Sequence, residues 1–159
     1  MAIIKTDCAI LSAASVVGKK EKDGPLGAVF DIHGADDRFG QKTFEKAEAE
    51  MQRLSFNTAL AKGGFHEGEI DALFAGDLLN QCIGAAYGLK DFNIPYFGLY
   101  GACSTMGEAM ILHWLHCSPR PVCSAAWEWW LLRISAPPSG NTGRRFVTAV
   151  SARPRRSGR

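Results

Sequence analysis

Apolar positions along this chain follow two rhythms. Between residues 8 and 17 they run almost unbroken, and Ile10, Val16 and Val17 are β-branched, which predicts a buried strand. A charged stretch from Gly18 to Gly24 closes it, and Gly24-Pro25-Leu26-Gly27 reads as a turn. Residues 31–40 form a polar loop with Asp36 beside Asp37, which composition reads as a solvated turn. A metal site there would need more converging ligands. From Thr43 the rhythm changes to steps of three and four. Phe44, Ala47, Met51, Leu54, Thr58 and Ala61 then mark one face of an amphipathic helix. Thr43 serves as its N-cap, with Lys46 where a capping box has Glu. Glu45, Glu48 and Glu50 lie near the positive end of the helix dipole, and Gly63-Gly64 ends the helix.

The second half of this region alternates. Residues 66–71 are an acidic connector, and Ile70, Leu73 and Phe74 lead into Ala75-Gly76-Asp77, a short buried strand with an acid at its end. Residues 78–90 read as a helix in which Gly84, Ala85 and Ala86 permit close packing. Pro95 opens a second buried strand over 96–100. It runs directly into Gly101-Ala102-Cys103-Ser104-Thr105, and another helix begins over 106–112. Strand, helix, strand, helix in this order predicts α/β layers with parallel strands.

Composition narrows the class. A chain of 159 residues allows one domain, and 47% apolar with 21% charged residues argues against whole-chain disorder. No apolar run reaches the roughly 18 residues of a membrane-spanning helix. The opening MAIIKTDCAILSAASVVGKK has an acid at Asp7 and lysines after its apolar part, so it lacks the basic-then-apolar order of a secretory signal, which AILSAASVV mimics only weakly. Five cysteines at irregular spacing suggest reduced thiols in a cytosolic protein rather than a disulfide framework.

Charge breaks the chain after Leu112. Residues 1–112 carry 10 Lys and Arg against 15 Asp and Glu, a net charge of −5. Residues 113–159 carry 8 Arg, no Lys and the single acid Glu128, a net of +7, with all four Trp and five of the seven Pro. Three readings compete for this tail. Arginines among aromatics suit a nucleic-acid arm. His113, His116, Cys117 and Cys123 have the ligand types of a zinc site, but their spacing fits no common zinc motif. Translation out of frame also yields Arg, Pro, Ser, Trp and Cys, without purpose.

The candidate chemistry lies at 101–105. A cysteine between a buried strand and a helix start faces the positive end of that helix, which favours a thiolate. Gly101 permits a tight turn, so Cys103 reads as a nucleophile elbow or a pocket residue, and equally as a small buried residue. Asp77, Asn80 and Gln81 follow the preceding strand and stand where open α/β sheets bind ligands. The alternative for Asp77 is helix capping. Cys8, Cys82 and His33 read as structural.

Four strings carry a family resemblance: DGPLGAVFD, the Phe39-Gly40 loop, EIDALFAGDLLNQ and IPYFGLYGACSTMGEA. Over residues 8–111 the chain resembles the stage V sporulation protein AD family of endospore-forming bacteria. The resemblance implies the thiolase-like (αβαβα) fold, here the N-terminal portion of its first half, with Cys103 at the elbow. It implies dipicolinic acid as ligand, with Asp77, Asn80, Gln81, Cys103 and Ser104 as candidate contacts. It also implies other proteins of the stage V sporulation A operon as partners, a homodimer in the intact family, and a place peripheral to the spore inner membrane after cytoplasmic synthesis. No cofactor, metal or nucleic acid is implied. The alternative is a ketoacyl-synthase- or thiolase-like acyltransferase with Cys103 as nucleophile, although the base and oxyanion groups would come from the second half of that fold.

The resemblance stops at the charge break. Regrouping the bases, so that each codon takes the third base of one residue and the first two of the next, permits HFCTAERQYR over residues 133–143. It permits QRPxxAQWTV over 150–159 followed by a TGA stop. Both resemble what the family has next. The expected organisation is therefore a thiolase-like fragment over 1–112, followed by an out-of-frame tail over 113–159 that adds no native packing, its apolar stretch over 125–134 at most lying loosely on exposed sheet or helix faces.

Overall fold

A computed structural model of the protein describes residues 9–78, 81–116, 132–136 and 146–150. The strand predicted over 8–17 is split at Ser15 into β1 (Ala9–Ala14) and β2 (Val16–Val17). The split has a chemical cause. The Ser15 N–H and hydroxyl both donate to Asp31 Oδ2, at 2.8 and 3.0 Å, and Lys62 Nζ reaches Asp31 Oδ1 at 2.6 Å. Beyond this corner β2 pairs in parallel with β3 (Ile32–His33) in a small separate sheet. The connection holds the short helix α1 (Lys19–Lys22) and a 3₁₀ turn over Gly27–Val29, where the Gly-Pro-Leu-Gly turn was expected. Gly27 is required there, since a Cβ would stand 1.9 Å from the Lys22 carbonyl oxygen. Asp36 Oδ1 accepts the N–H groups of Arg38 and Gly40 at 2.6 and 3.3 Å, so this acid folds its own turn.

Helix α2 (Phe44–Gly63) starts and stops as the sequence predicts. Thr43 Oγ1 accepts the Lys46 N–H at 3.3 Å, and Gly64 takes the left-handed conformation at φ 67°. Its buried face is corrected, however. Ala47, Glu48, Met51, Gln52, Ser55, Phe56, Ala59 and Leu60 are buried, whereas Phe44, Leu54 and Thr58 are only partly covered and Ala61 is exposed. The apolar stripe misplaces the face because Glu48, Gln52 and Ser55 go inside.

The main sheet has five strands in the order β1-β6-β7-β4-β5, with β4 (Ala72–Gly76), β5 (Tyr96–Gly98), β6 (Leu132–Ala136) and β7 (Phe146–Val150). β4 runs parallel to both β5 and β7, while β6 is antiparallel to β1 and β7. The alternation along β4 divides the molecule into layers. Leu73 and Ala75 join Phe56, Ala59, Leu60, Ala85 and Leu89 in one core, which includes α2 and α3 (Ile83–Leu89). Ala72 and Phe74 join Leu99 and Ala109 in a second core on the opposite face, under α4 (Thr105–His116). This is the mixed α/β layering with parallel strands that the element order predicts. Gly88 lets α3 lie against α2, since a Cβ there would be 2.3 Å from the Ala49 carbonyl oxygen. No helix among the described residues is long and apolar enough to cross a membrane.

The expectation that residues after Leu112 add no packing is corrected. α4 continues to His116, and β6 and β7 occupy the middle of the sheet. The reason lies in the walls of that gap. β1 and β4 do not pair with each other, yet α2 bonds to β1 (Ser12 Oγ to the Ala59 carbonyl, 2.7 Å) and to the end of β4 (Gln52 Nε2 to the Gly76 carbonyl, 3.0 Å). Two strand edges held apart in this way accept further backbone, because ladder bonds do not read side chains.

The Asp31 corner gives a test. Burial raises the Asp31 pKa, but the bonds from Lys62 and Ser15 outweigh it and hold the carboxyl below its ordinary value. Asp31→Asn should cost about 1 kcal/mol at neutral pH, the Lys62 contact adding little because its side chain is 47% exposed. A depressed carboxylate pKa stabilises above the unfolded-state value and is lost as pH falls through the folded one. Thermal melts of wild type and variant should therefore differ at pH 7, with the gap beginning to narrow only as pH falls below about 4. A constant gap down to pH 2 would contradict this assignment.

Candidate functional site

β4 and β5 end side by side at Gly76 and Gly98, and the chain leaves both on the same edge, where parallel α/β sheets hold ligands. Two side chains of α2 fix that edge. Gln52, 1% exposed, donates to the Gly76 carbonyl, and fully buried Glu48 accepts the Leu78 N–H at 3.3 Å. Sequence reasoning missed both as site-forming residues. The available signal was an i, i+4 polar pair inside a stripe of Ala47, Met51, Phe56 and Ala59.

Asp77, the first residue beyond β4, is 4% exposed and accepts the Ala85 N–H at 3.1 Å. It therefore anchors the start of α3, the capping alternative. A Cβ at Gly84 would stand 3.2 Å from Asp77 Oδ2, so a small residue lets the carboxylate approach. The helix predicted over 78–90 is shortened to α3. Gln81 and Cys82 both adopt left-handed conformations, at φ 58° and 73°, which no helix continues through. Asn80 lies outside the described residues, and Gln81 is exposed.

Cys82 points inward, its Sγ donating to the Leu99 carbonyl at 2.7 Å. Burial pushes its thiol pKa up, and the Asp77 and Glu108 carboxylates push in the same direction. Tyr96 sits in the same group. Its hydroxyl donates to the Ala75 carbonyl at 3.3 Å, and burial first, then Cys82 and Asp77, raises its phenol well above the usual range. The strand ends thus bring Asp77, Cys82 and Tyr96 together, with Cys82 engaged rather than incidental.

Cys103 lies where the sequence predicts, between β5 and α4, in a 3₁₀ turn over Ala102–Ser104, and its side chain is exposed. Gly101 donates its N–H to Thr105 Oγ1 at 3.1 Å, and Ser104 Oγ donates to the Gly101 carbonyl at 2.7 Å. The turn is too tight for a side chain at 101, where a Cβ would fall 2.4 Å from Ser104 Oγ. Strain falls on Ala102, at φ 46°, beside the cysteine rather than on it. Cys103 and Ser104 face outward, while Thr105 is fully buried and seats α4 against Gly76.

Of the zinc candidates in the tail, His113 is 4% exposed with its ring 5.8 Å from that of Phe74, and Cys117 and Cys123 lie outside the described residues. Cys8 also lies outside them, and His33 Nε2 is 2.7 Å from the Gly27 carbonyl oxygen, a structural contact. Among the described residues no group of three His, Cys, Asp or Glu is placed to hold a metal ion.

Comparison with known proteins gives this edge its context. The family model described as stage V sporulation protein AD matches residues 1–117. Stage V sporulation protein AD of Bacillus subtilis (strain 168) is 42% identical over 99 residues, which are 62% of this chain and 29% of that relative. The matched part contains every described residue from β1 through α4, and so the whole strand-end edge with Asp77, Cys82 and Cys103. The chain belongs to the stage V sporulation protein AD family and is a sporulation protein.

Proposed function

We propose that this chain forms the first wall of a dipicolinate-binding cleft in a thiolase-like fold, at the ends of β4 and β5. The observation that carries the reading is the exposed turn of Cys103 and Ser104 at the start of a 12-residue helix, within the family match. Dipicolinate is a planar dianion, and the positive end of α4 favours negative charge at that turn. Cys103, Ser104 and exposed Gln81 are the ligand-facing groups, with Asn80 beside them in sequence, while Asp77 shapes the wall by holding α3. The protein acts at the spore inner membrane as a peripheral component, beside other products of its operon, and the intact family pairs as homodimers. No nucleic acid is involved. The exposure of Cys103 also favours a second reading, a cysteine nucleophile for acyl transfer.

We further propose that residues beyond about 112 are read out of frame. Support comes from the loss of lysine, the family match over residues 1–117, and the family-like strings that regrouped codons permit. The strands β6 and β7 are compatible with this, because a backbone ladder accepts β-prone segments of foreign sequence.

Two measurements test these readings. Equilibrium dialysis of the full chain should show saturable binding of pyridine-2,6-dicarboxylate, weakened about tenfold for picolinate, which lacks one carboxylate. Ser104→Glu should weaken it at least tenfold by placing a like charge at the turn. Absence of saturable binding, or equal affinity for picolinate, would overturn the ligand reading, and turnover of an acyl-thioester through Cys103 would favour the second one. Separately, the nucleotide sequence around codons 110–130 should open into family-like sequence after a one-base correction. Failure of every alternative frame to do so would remove the out-of-frame account.

A further inference from the structure

The Leu99 carbonyl is unusually constrained. Leu99 follows β5, is 6% exposed, and donates its N–H to the Ala75 carbonyl at 2.8 Å. Its own carbonyl oxygen would lie 2.4 Å from a Cβ at Gly76, so a glycine makes room for it, and it accepts the Cys82 thiol at 2.7 Å. Three residues later begins the turn that presents Cys103. On the other side, Cys82 and Gln81 hold consecutive left-handed conformations, each costing an L-residue about 1–2 kcal/mol. Such strain persists only where surrounding contacts enforce it. Here the strained pair lets the chain reverse into α3 while the Cys82 side chain lies against β5. The Cys82 Cβ is within 3.4 Å of where a Cβ at Gly98 would sit.

We propose that Cys82 is a positioning residue for the Cys103 turn: its thiol, by donating to the Leu99 carbonyl, fixes the strand exit from which Ala102 and Cys103 are presented. The raised thiol pKa agrees with this, since a protonated sulfur is needed as the donor. The group required at position 82 is therefore a short hydrogen-bond donor, which serine supplies and alanine does not. The proposal deepens the reading of the Cys103 turn as the site, but its test does not depend on dipicolinate. A chain that binds no dipicolinate would sink the ligand reading and leave the alkylation result standing.

The experiment is iodoacetamide alkylation of the full chain from pH 6 to 10, with rates at Cys82 and Cys103 read by peptide mass spectrometry. In the wild type, Cys82 should react at least a hundredfold more slowly than Cys103. Cys82→Ser should leave the Cys103 rate and the midpoint of its pH profile within twofold and about 0.2 pH units of wild type. Cys82→Ala should change the Cys103 rate at least fivefold and move that midpoint. Equal behaviour of the serine and alanine variants overturns the proposal, as does an unchanged Cys103 profile in the alanine variant. If the alanine variant does not fold, the wild-type comparison decides. A Cys82 that reacts as fast as Cys103 is not held by Leu99, and the proposal fails.

Discussion

Two polar side chains on the buried face of α2 set the geometry of everything near the site. Gln52 bonds to the Gly76 carbonyl and Glu48 to the Leu78 N–H, so the helix grips both sides of the point where β4 ends. A polar group buried without a partner costs about 1–3 kcal/mol, which penalises any shift of β4 along α2. Asp77 lies between these two grips and carries the constraint onward to Ala85 and α3. β5 inherits it through its parallel register with β4, and the Cys103 turn inherits it from β5. The positions of the candidate site thus hang from one register, fixed by hydrogen bonds rather than by apolar packing alone.

The same helix explains how the sheet takes in strands from outside the family match. α2 holds β1 through Ser12 and β4 through Gln52, at a separation that leaves room for two strands. Pairing in that gap satisfies the backbone groups of β1 and β4 that would otherwise face an open edge. Occupancy of a sheet position is therefore weak evidence about a segment's origin. The ends of β4 and β5, by contrast, are built from residues within the match.

Much of this was legible in the sequence, for reasons that particular residues show. Thr43 and Gly64 have strong local preferences, so α2 begins and ends where those preferences dictate. The strand predicted as buried over 96–100 is observed only as β5 to Gly98, with Phe97 49% exposed, but its run into Gly101 still placed Cys103 at a strand-to-helix junction. The buried face of α2 was not legible, because an apolar stripe cannot show that Glu48 and Gln52 find backbone partners 24 to 30 residues away. Nor was the late start of α3, since Gln81 and Cys82 carry no intrinsic preference for the left-handed region that tertiary contacts impose. The break at Ser15 depended on Asp31, a distant acid inside a string that sequence alone reads as a turn.

α2 locks the end of β4 locally, and the candidate site depends on this lock. Amide hydrogen exchange in Glu48→Ala against wild type tests it most directly. Exchange should be at least tenfold faster at Leu78, bonded to Glu48, and at Ala85, bonded to Asp77, while the Ser15 amide at the Asp31 corner keeps its wild-type rate. Unchanged rates at Leu78 and Ala85, or equal acceleration at all three amides, would contradict it.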